Sequence, residues 1–280
     1  MVNKFWFEAK NINCFKGSFR VIKDLSLKIA YSENVILIGP NGSGKSSLIE
    51  IINRNIYPVE ANESKLKIFD KELINLWELR KKISTVNNDI KNRINPNLQV
   101  FDLILSGLYG RYCYVQNKSE KDSNKVEKIM KKMNISNLSK KNFSYLSDGE
   151  KQISLIARAL IKKPKILILD EPIANLDYKS KFFVIDKVNE LSKLNTKILC
   201  VTHDISTITK IYDRVIMLKD GKIIADGDQA KVMNSENFNE LFGIQVEITN
   251  NNGLWNINRL SNNNYKNNYR NSKKYKFFTF

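Results

Sequence analysis

One glycine-rich segment constrains the fold of this chain more than any other feature. Residues 39–46 read Gly-Pro-Asn-Gly-Ser-Gly-Lys-Ser, which fits the pattern G-x-x-x-x-G-K-[ST]. The segment follows the apolar run Val35–Ile38 and precedes an apolar helical pattern from Leu48 to Ile52. A strand, a glycine-rich loop and a helix in this order open a parallel α/β unit. We therefore predict an α/β fold with a phosphate-binding loop at the end of a strand.

The residue types in this loop suit nucleotide phosphates. Glycine lets backbone N–H groups approach phosphate oxygens because no Cβ intervenes, and the following helix N-terminus adds further donors. Lys45 would place a charge on the β- and γ-phosphates, and the Ser46 hydroxyl suits Mg²⁺. A plain glycine turn with a surface lysine would not need the flanking strand and helix. The predicted ATP-binding residues here are Gly39, Pro40, Asn41, Gly42, Ser43, Gly44, Lys45, Ser46 and Ser47.

Two adjacent carboxylates end a second apolar run. Residues 166–171 read Ile-Leu-Ile-Leu-Asp-Glu, as a buried parallel strand would. Ligands of α/β sheets bind at the carboxyl ends of the strands. Asp170 is a candidate ligand of the Mg²⁺ shell, and Glu171 is a candidate to orient or deprotonate an attacking water. Solvated acids at a strand end are the alternative, which the phosphate loop disfavours.

A third segment, Leu146–Gln152, reads Leu-Ser-Asp-Gly-Glu-Lys-Gln before an apolar helical pattern. Ser147 with Glu150 three residues later predicts a capping box at a helix N-terminus. The same helix end exposes N–H donors and a positive dipole end, so it could also bind phosphate. The spacing leaves both interpretations open, since this segment is distant in sequence from the loop.

His203 is the one histidine of the chain, and it follows the apolar run Ile198–Val201. A histidine beside an apolar run is often structural. Here the run predicts a strand whose carboxyl end lies at the same sheet edge as the phosphate loop. We therefore predict a functional role for His203, whose side chain can act as an acid, a base or a hydrogen-bond partner.

The remaining chain completes an α/β pattern. Alternation of Phe5, Phe7 and Ala9 with polar positions predicts a strand, with Trp6 on the opposite face. Helical spacing between Lys81 and Lys162 predicts a helical insert, and Asp220-Gly221 predicts a hairpin turn. Residues 258–280 hold Asn, Lys, Arg, Ser and aromatics without an acid, which predicts a disordered tail.

The chain carries a formal net charge of +17, which has two explanations. One is a surface for nucleic acid or anionic lipid; the other is a Lys/Asn/Ile-rich composition. The basic residues are spread along the sequence, so we favour the second and expect no specific nucleic-acid partner. No apolar run approaches the roughly 20 residues of a membrane span, and the three cysteines fit no zinc motif.

The four motifs, in this order and spacing, resemble the nucleotide-binding subunits of ABC transporters over roughly residues 3–255. The resemblance implies a P-loop NTPase, RecA-like core with an antiparallel β subdomain and an inserted α-helical signature subdomain. It places the ATPase domain at 1–257, with the core at about 1–87 and 161–257 and the insert at about 88–160. The segments around 105–107 and 239–244 are most similar to a bacterial single-cassette subgroup that includes the molybdate and metal-chelate types.

The resemblance also implies roles for individual residues. Within one subunit, Phe15 would stack on adenine, Ser46 and Asp170 would hold Mg²⁺, and Glu171 and His203 would be catalytic. In an ATP-sandwich homodimer, the signature residues would face the γ-phosphate bound by the partner. The signature residues are Ser147, Asp148, Gly149 and Glu150. Asp177 would lie in the D-loop at that interface.

The departures from the family pattern include the signature and the Q-loop. The signature reads LSDGE where LSGGQ is usual, so Asp148 adds a negative charge beside a helix end that binds phosphate. Asn88, or Asn87, stands where the family has the Q-loop glutamine. An asparagine still offers an amide, but its side chain is one methylene shorter. Because the Q-loop couples the ATPase to a permease, this departure bears on transport.

The resemblance implies an ATP-binding and ATP-hydrolysing subunit that energises transport through separate integral-membrane permease subunits. Such a subunit would be peripheral on the cytoplasmic face of the cell membrane. The alternative is a soluble ABC ATPase of translation, repair or cluster assembly, although the single cassette and short insert do not favour it. A relic that binds ATP without turnover is opposed by the presence of Lys45, Asp170, Glu171 and His203.

Overall fold

The fold is built on three β-sheets, seen in a computed structural model that describes residues 4–61, 63–115, 118–191, 195–251 and 253–259. The strands are β1 (Phe5–Lys16), β2 (Phe19–Ala30), β3 (Val35–Ile38), β4 (Lys65–Ile68), β5 (Ile83–Val86), β6 (Ile166–Asp170), β7 (Lys197–Thr202), β8 (Arg214–Lys219), β9 (Lys222–Asp228), β10 (Val246–Asn251) and β11 (Leu254–Arg259). The helices are α1 (Lys45–Ile52), α2 (Leu76–Lys82), α3 (Val100–Tyr109), α4 (Glu120–Met133), α5 (Asp148–Leu160), α6 (Tyr178–Leu191), α7 (Gln229–Val232) and α8 (Ser235–Phe242).

The central sheet has the strand order β5-β6-β7-β3-β8-β9. Its first five strands are parallel, and β9 closes the edge as an antiparallel partner of β8. The hairpin predicted around Asp220-Gly221 is this β8–β9 pair. The parallel sheet with its helices confirms the predicted α/β fold class.

Alternate residues of the central strands enter two different cores. On β3, Val35 and Leu37 pack toward the antiparallel sheet and α1, whereas Ile36 and Ile38 pack toward the helices between β5 and β6. Strands β6, β7 and β8 alternate in the same way. Because side chains alternate across a strand, a strand covered on both faces must be apolar at every position, which explains the uninterrupted apolar runs.

A second sheet, antiparallel with the order β2-β1-β4, packs against α1 and one face of the central sheet. The strand predicted from Phe5, Phe7 and Ala9 is β1. Trp6, which alternates with these residues along the strand, is buried as well, with 1% of its surface exposed. The pairing of β1 with β2 shifts between Phe5 and Phe7, and Trp6 packs against Phe69.

The segment between β5 and β6 is mainly helical. It holds α3, α4 and α5 with short 3₁₀ turns at 88–93, 136–138 and 143–145. Helix α3 packs on α5, and their apolar residues form one core with α4 and α6. Ser119 caps α4 by accepting a hydrogen bond from the Asp122 N–H, and Asn134 ends α4 in the left-handed conformation.

The last described residues form the hairpin β10–β11, in which Val246 pairs with Arg259 and Glu247 with Asn258. The predicted start of the tail at Asn258 is therefore two residues too early, because Asn258 and Arg259 are paired in β11. Residues 260–280, the rest of the predicted tail, lie outside the described residues. Within the described ranges, no helix is long and apolar enough to cross a membrane.

Candidate functional site

The glycine-rich loop follows β3 and lies close to the backbone of both the central sheet and the antiparallel sheet. A Cβ on Gly39 would be 2.2 Å from the Leu218 carbonyl oxygen, and one on Gly44 would be 2.7 Å from the Val21 carbonyl oxygen. Gly44 also has a φ of 105°, in the left-handed region that favours glycine. The Gly221 N–H donates to the Ser43 carbonyl at 2.9 Å. Backbone on both sides therefore fixes the loop.

Lys45 is buried and folds back over this loop. Its Nζ donates to the carbonyl oxygens of Gly39 at 2.7 Å and Pro40 at 2.9 Å. Burial lowers the pKa of Lys45, while the charges of Glu171 and Asp170 oppose the decrease. The ammonium group is thus held inside the curl of the loop, where it meets any anion that the loop binds.

Asp170 ends β6 and is partly buried at the same sheet edge. Burial and the charge of Glu171 raise its pKa to about 6, although Lys45 opposes the shift. Asp89 and Glu50 add smaller repulsive contributions. The charge of Lys45 compensates this carboxylate only in part, so a divalent cation beside it would relieve the remaining repulsion.

Glu171 lies between the loop lysine and the histidine. Its Oε1 is 2.8 Å from His203 Nδ1 and 3.9 Å from Lys45 Nζ. Its N–H donates to the Val201 carbonyl at 2.8 Å, and its φ of 51° is left-handed. This turn points the carboxylate back across the strand end. An ionised Glu171 would accept this hydrogen bond, and the proton would then lie on Nδ1 of His203.

The Q-loop prediction falls on the chain that leaves β5. In the β5–β6 register Val86 pairs with Leu169, so the next residue, Asn87, comes beside Asp170. The Asn87 Oδ1 is buried and has no hydrogen-bond partner among the described residues. Asn88 begins the 3₁₀ turn at 88–93. Asn87 thus has a buried amide oxygen at the strand end.

The capping box predicted for the signature segment is present. Ser147 Oγ accepts from the Glu150 N–H at 3.2 Å, and Glu150 Oε2 accepts from the Ser147 N–H at 2.9 Å. The exposed Asp148 pairs with Lys151 at 3.3 Å. Burial lowers the pKa of Lys91, on the 3₁₀ turn, and the charge of Asp148 opposes that decrease. Two lysines therefore lie within electrostatic reach of Asp148.

Gly149 and Asp177 both lie against Ser180. Ser180 donates from N–H and Oγ to the Asp177 carboxylate at 3.0 and 2.8 Å, and these hydrogen bonds lower the pKa of Asp177. A Cβ on Gly149 would be 3.1 Å from the Ser180 Cβ. Glycine at this position therefore lets the first turn of α5 pack closely on the first turn of α6.

A further ion pair, absent from the sequence prediction, ties the segment after His203 to α6. Lys181 Nζ donates to Asp204 Oδ2 at 2.8 Å. Burial raises the pKa of Asp204, but hydrogen bonds from Lys181 and Ser206 outweigh it, so that the pKa lies below its ordinary value. The spacing of 23 residues leaves no local signal of this pair. Only the predicted sheet edge indicates that Asp204 and the start of α6 could meet.

Phe15 lies near the end of β1 with its ring about half exposed. The next residue, Lys16, pairs with Glu50 of α1 at 2.5 Å, so this end of β1 is tied to the helix that follows the glycine-rich loop. Ser46 is exposed and Ser47 is buried in the first turn of that helix.

The structure brings some of the predicted site residues together and keeps the signature residues separate from them. The loop, Asp170, Glu171 and His203 share one edge of the central sheet. Within the described ranges, no hydrogen bond or ion pair joins residues 147–150 to the glycine-rich loop. Residues 147–150 instead lie at an exposed helix end beside α6.

Comparisons with known proteins agree on one family. The sequence model of the family described as "ABC transporter" matches residues 22–174. A relative from Methanocaldococcus jannaschii, named an uncharacterized ABC transporter ATP-binding protein, is 32% identical over 239 residues, which cover 85% of this chain and 91% of the relative.

Two solved structures are similar in both fold and sequence. CbiO1 from Clostridium perfringens, described as part of the ABC transporter complex CbiONQ, is 25% identical with a TM-score of 0.72, covering 85% of this chain and 94% of its own. The ATP-binding cassette MJ0796, described as a dimer in a post-hydrolysis state bound to ADP and Pi, is 26% identical with a TM-score of 0.65. The match covers 79% of this chain and 98% of MJ0796.

The raised pKa of Asp170 predicts a pH dependence of stability. Because this group binds a proton more tightly in the folded state, its stabilising contribution is full below about pH 4 and is lost as the pH rises through about 6. We expect the free energy of unfolding of nucleotide-free wild type, relative to Asp170→Asn, to fall over this range by at most about 3 kcal/mol. Urea denaturation at several pH values measures the difference, and a difference independent of pH would contradict the assignment.

The ion pair between Lys181 and Asp204 predicts a measurable coupling. A double-mutant cycle with Lys181→Met and Asp204→Asn should give a coupling energy of about 1 kcal/mol in urea denaturation, because the pair is only partly exposed. Lys181→Arg keeps the charge and should retain most of the stability. Additive effects of the two substitutions would show that the pair contributes nothing.

Proposed function

The chain belongs to the ABC transporter family, and we propose that its geometry makes it the ATP-binding and ATP-hydrolysing subunit of a transporter, working as an ATP-sandwich dimer. The single observation that carries this proposal is the position of Glu171. Its carboxylate lies 3.9 Å from the loop lysine and 2.8 Å from His203, beside Asp170. A phosphate binder and a candidate base for water thus meet at one sheet edge.

For nucleotide binding, the loop would supply backbone N–H groups and Lys45 would neutralise charge on the β- and γ-phosphates. The glycines support this role, because a Cβ on Gly39 or Gly44 would collide with backbone. The exposed ring of Phe15, tied to α1 through Lys16, would stack on the adenine, for which any π face suffices.

For Mg²⁺, we assign Ser46 and Asp170. The donor set fits the ion, since a hydroxyl and a carboxylate are hard oxygen ligands. The raised pKa of Asp170 marks a carboxylate whose negative charge is only partly compensated in the free protein. When bound, the ion would neutralise phosphate charge during transfer. Asn87, with a buried and unpaired amide oxygen next to Asp170, could reach this shell directly or through water.

For hydrolysis, Glu171 would orient the attacking water and accept its proton. The contact with His203 would hold the carboxylate in place, since the Nδ1–H would donate to Oε1 at 2.8 Å. The left-handed φ of Glu171 supports a functional position, because strained backbone of this kind persists where the surroundings enforce it.

For the dimer, Ser147, Asp148, Gly149 and Glu150 would face the γ-phosphate bound by the partner subunit, with Asp177 at the same interface. The exposure of Ser147 and Asp148 at the N-terminus of α5 supports this role, since a helix end favours an anion. The capping box already occupies Ser147 and Glu150 with each other. Pairing with Lys151 would reduce the repulsion of phosphate by Asp148.

For transport, we propose that separate permease subunits supply the membrane path. Within the described residues no helix could span a bilayer, and the related CbiO1 is described as part of a CbiONQ complex. The chain would then act as a peripheral subunit on the cytoplasmic face of the membrane, and the permease would determine the substrate.

The position of Lys45 predicts its effect on binding. Lys45→Ala should weaken ATP binding about 100-fold, because hydrogen bonds to charged groups contribute about 1.5–3 kcal/mol each. Isothermal titration calorimetry measures the affinity. Lys128→Ala, at an exposed position of α4, serves as the matched control and should bind ATP as the wild type does. Unchanged affinity in Lys45→Ala would refute the phosphate-binding assignment.

The position of Glu171 predicts a trapped dimer. Glu171→Gln should bind ATP, lose hydrolysis by about 10²–10⁴-fold and elute as a dimer with ATP in size-exclusion chromatography. The double variant Lys45→Ala/Glu171→Gln should stay monomeric, because the dimer requires bound ATP. If Glu171→Gln also remained monomeric with ATP, the shared-site arrangement would be wrong.

A further inference from the structure

Three large apolar side chains project from α2 and the loop before it. Leu73 is 91% exposed, Trp77 74% and Leu76 39%. The inward face of the same helix is buried through Leu79. Large apolar side chains clustered within five residues are unusual on the surface of a protein that functions alone. The cluster therefore indicates a binding surface that a protein or a membrane covers.

A fourth exposed apolar side chain, that of Tyr57, adjoins this cluster. Tyr57 is 61% exposed and lies beside the Arg54 guanidinium, 5.8 Å from the ring centroid. Arg54 also donates to the Glu72 carbonyl at 2.8 Å, so it ties Tyr57 to the residue before Leu73. We call Tyr57, Leu73, Leu76 and Trp77 the α2 patch.

Positive charge borders the α2 patch. Arg80 and Lys81 are exposed and lie four residues after Leu76 and Trp77, hence on the same helix faces. The one acid of α2, Glu78, accepts from Lys71 at 2.8 Å and Lys82 at 2.6 Å, and these hydrogen bonds lower its pKa to about 2.

The acid of the preceding loop is neutralised as well. Glu72 lies 3.5 Å from Lys65, so both carboxylates of residues 71–82 have a lysine partner. That stretch holds four Lys or Arg and two Glu. Arg80 and Lys81 are therefore the charges of α2 that remain available to a ligand.

Two kinds of occupant have the matching apolar character, a membrane surface and a cytoplasmic loop of a membrane protein. Cytoplasmic loops carry an excess of Lys and Arg, which Arg80 and Lys81 would repel. The cytoplasmic leaflet is anionic and attracts such cations. Trp and Leu bordered by Lys and Arg are also the composition of elements that lie in the membrane interface. The charges thus favour lipid.

We propose that the α2 patch docks on the anionic lipid surface of the membrane. Trp77 and Leu73 enter the boundary between headgroups and acyl chains, while Arg80 and Lys81 bind lipid phosphates. This inference rests on the proposed function, since it places the subunit at a membrane. It gives the chain a membrane contact of its own, apart from any contact with a permease.

Vesicle flotation of the full chain tests the proposal. The vesicles contain phosphatidylcholine alone or with about one third phosphatidylglycerol as the anionic lipid. Leu73→Ser/Trp77→Ser should reduce binding to anionic vesicles about tenfold, and Arg80→Gln/Lys81→Gln should reduce it by a similar factor at low salt. The controls are Phe19→Ser, which removes an equally exposed ring, and Lys121→Gln/Lys128→Gln on α4; both should bind like the wild type.

A second measurement isolates Trp77. The sequence of residues 260–280 holds five Lys or Arg and no acid, so it adds another source of attraction to anionic vesicles. Tryptophan emission of the full chain should shift to the blue with anionic vesicles, and the shift should disappear in Trp77→Phe. Trp6 is buried and does not report on the surface, and the partly exposed Trp255 is replaced by phenylalanine in both proteins of this comparison.

Several results of these measurements would overturn the proposed lipid docking. Flotation unchanged by the α2 substitutions, or a blue shift retained in Trp77→Phe, overturns it. So does a variant that binds vesicles normally but no longer co-purifies with a membrane protein, since the α2 patch would then contact protein. ATP hydrolysis without vesicles should be unchanged in all these variants. Absence of hydrolysis in the wild type would contradict the proposed function instead, so the two failures are distinguishable.

Discussion

The parallel hydrogen bonding of β3, β6 and β7 is the constraint on which the rest of the structure depends. In this register Ile38 pairs with Thr202, and Asp170 pairs with Val201. The glycine-rich loop, the carboxylates after β6 and His203 after β7 must therefore emerge at one edge. Residues more than 160 positions apart in sequence reach contact distance because three short strands run in the same direction.

The antiparallel sheet helps to hold the glycine-rich loop in place. It presses the Val21 carbonyl against Gly44, while Leu218 of β8 presses against Gly39. The loop consequently has backbone on two sides, which fixes the direction of its N–H groups without any side chain. A loop fixed in this way is organised before phosphate arrives, and less free energy is lost in ordering it on binding.

The strands, the glycine-rich loop and the capping box could be predicted because each depends on neighbouring residues and on a single periodicity. Contacts that depend on irregular backbone or on residues distant in sequence could not be predicted. Trp6 is buried although it alternates with the buried Phe7 and Ala9, and alternation alone does not reveal that this position is covered. The Glu171–His203 contact needs a left-handed residue at the strand end. The Lys181–Asp204 pair joins segments 23 residues apart and has no sequence signature.

Helix α6 connects the two halves of the proposed machinery within one subunit. Ser180 packs against Gly149 of the signature helix, and the adjacent Lys181 pairs with Asp204 beside His203. Both contacts belong to the same turn of α6, because Ser180 and Lys181 are consecutive residues. In an ATP-sandwich dimer the signature helix faces the nucleotide of the partner, whereas His203 faces its own. One turn of α6 would then contact both the signature helix and the segment after His203, and would join the two proposed sites within one subunit.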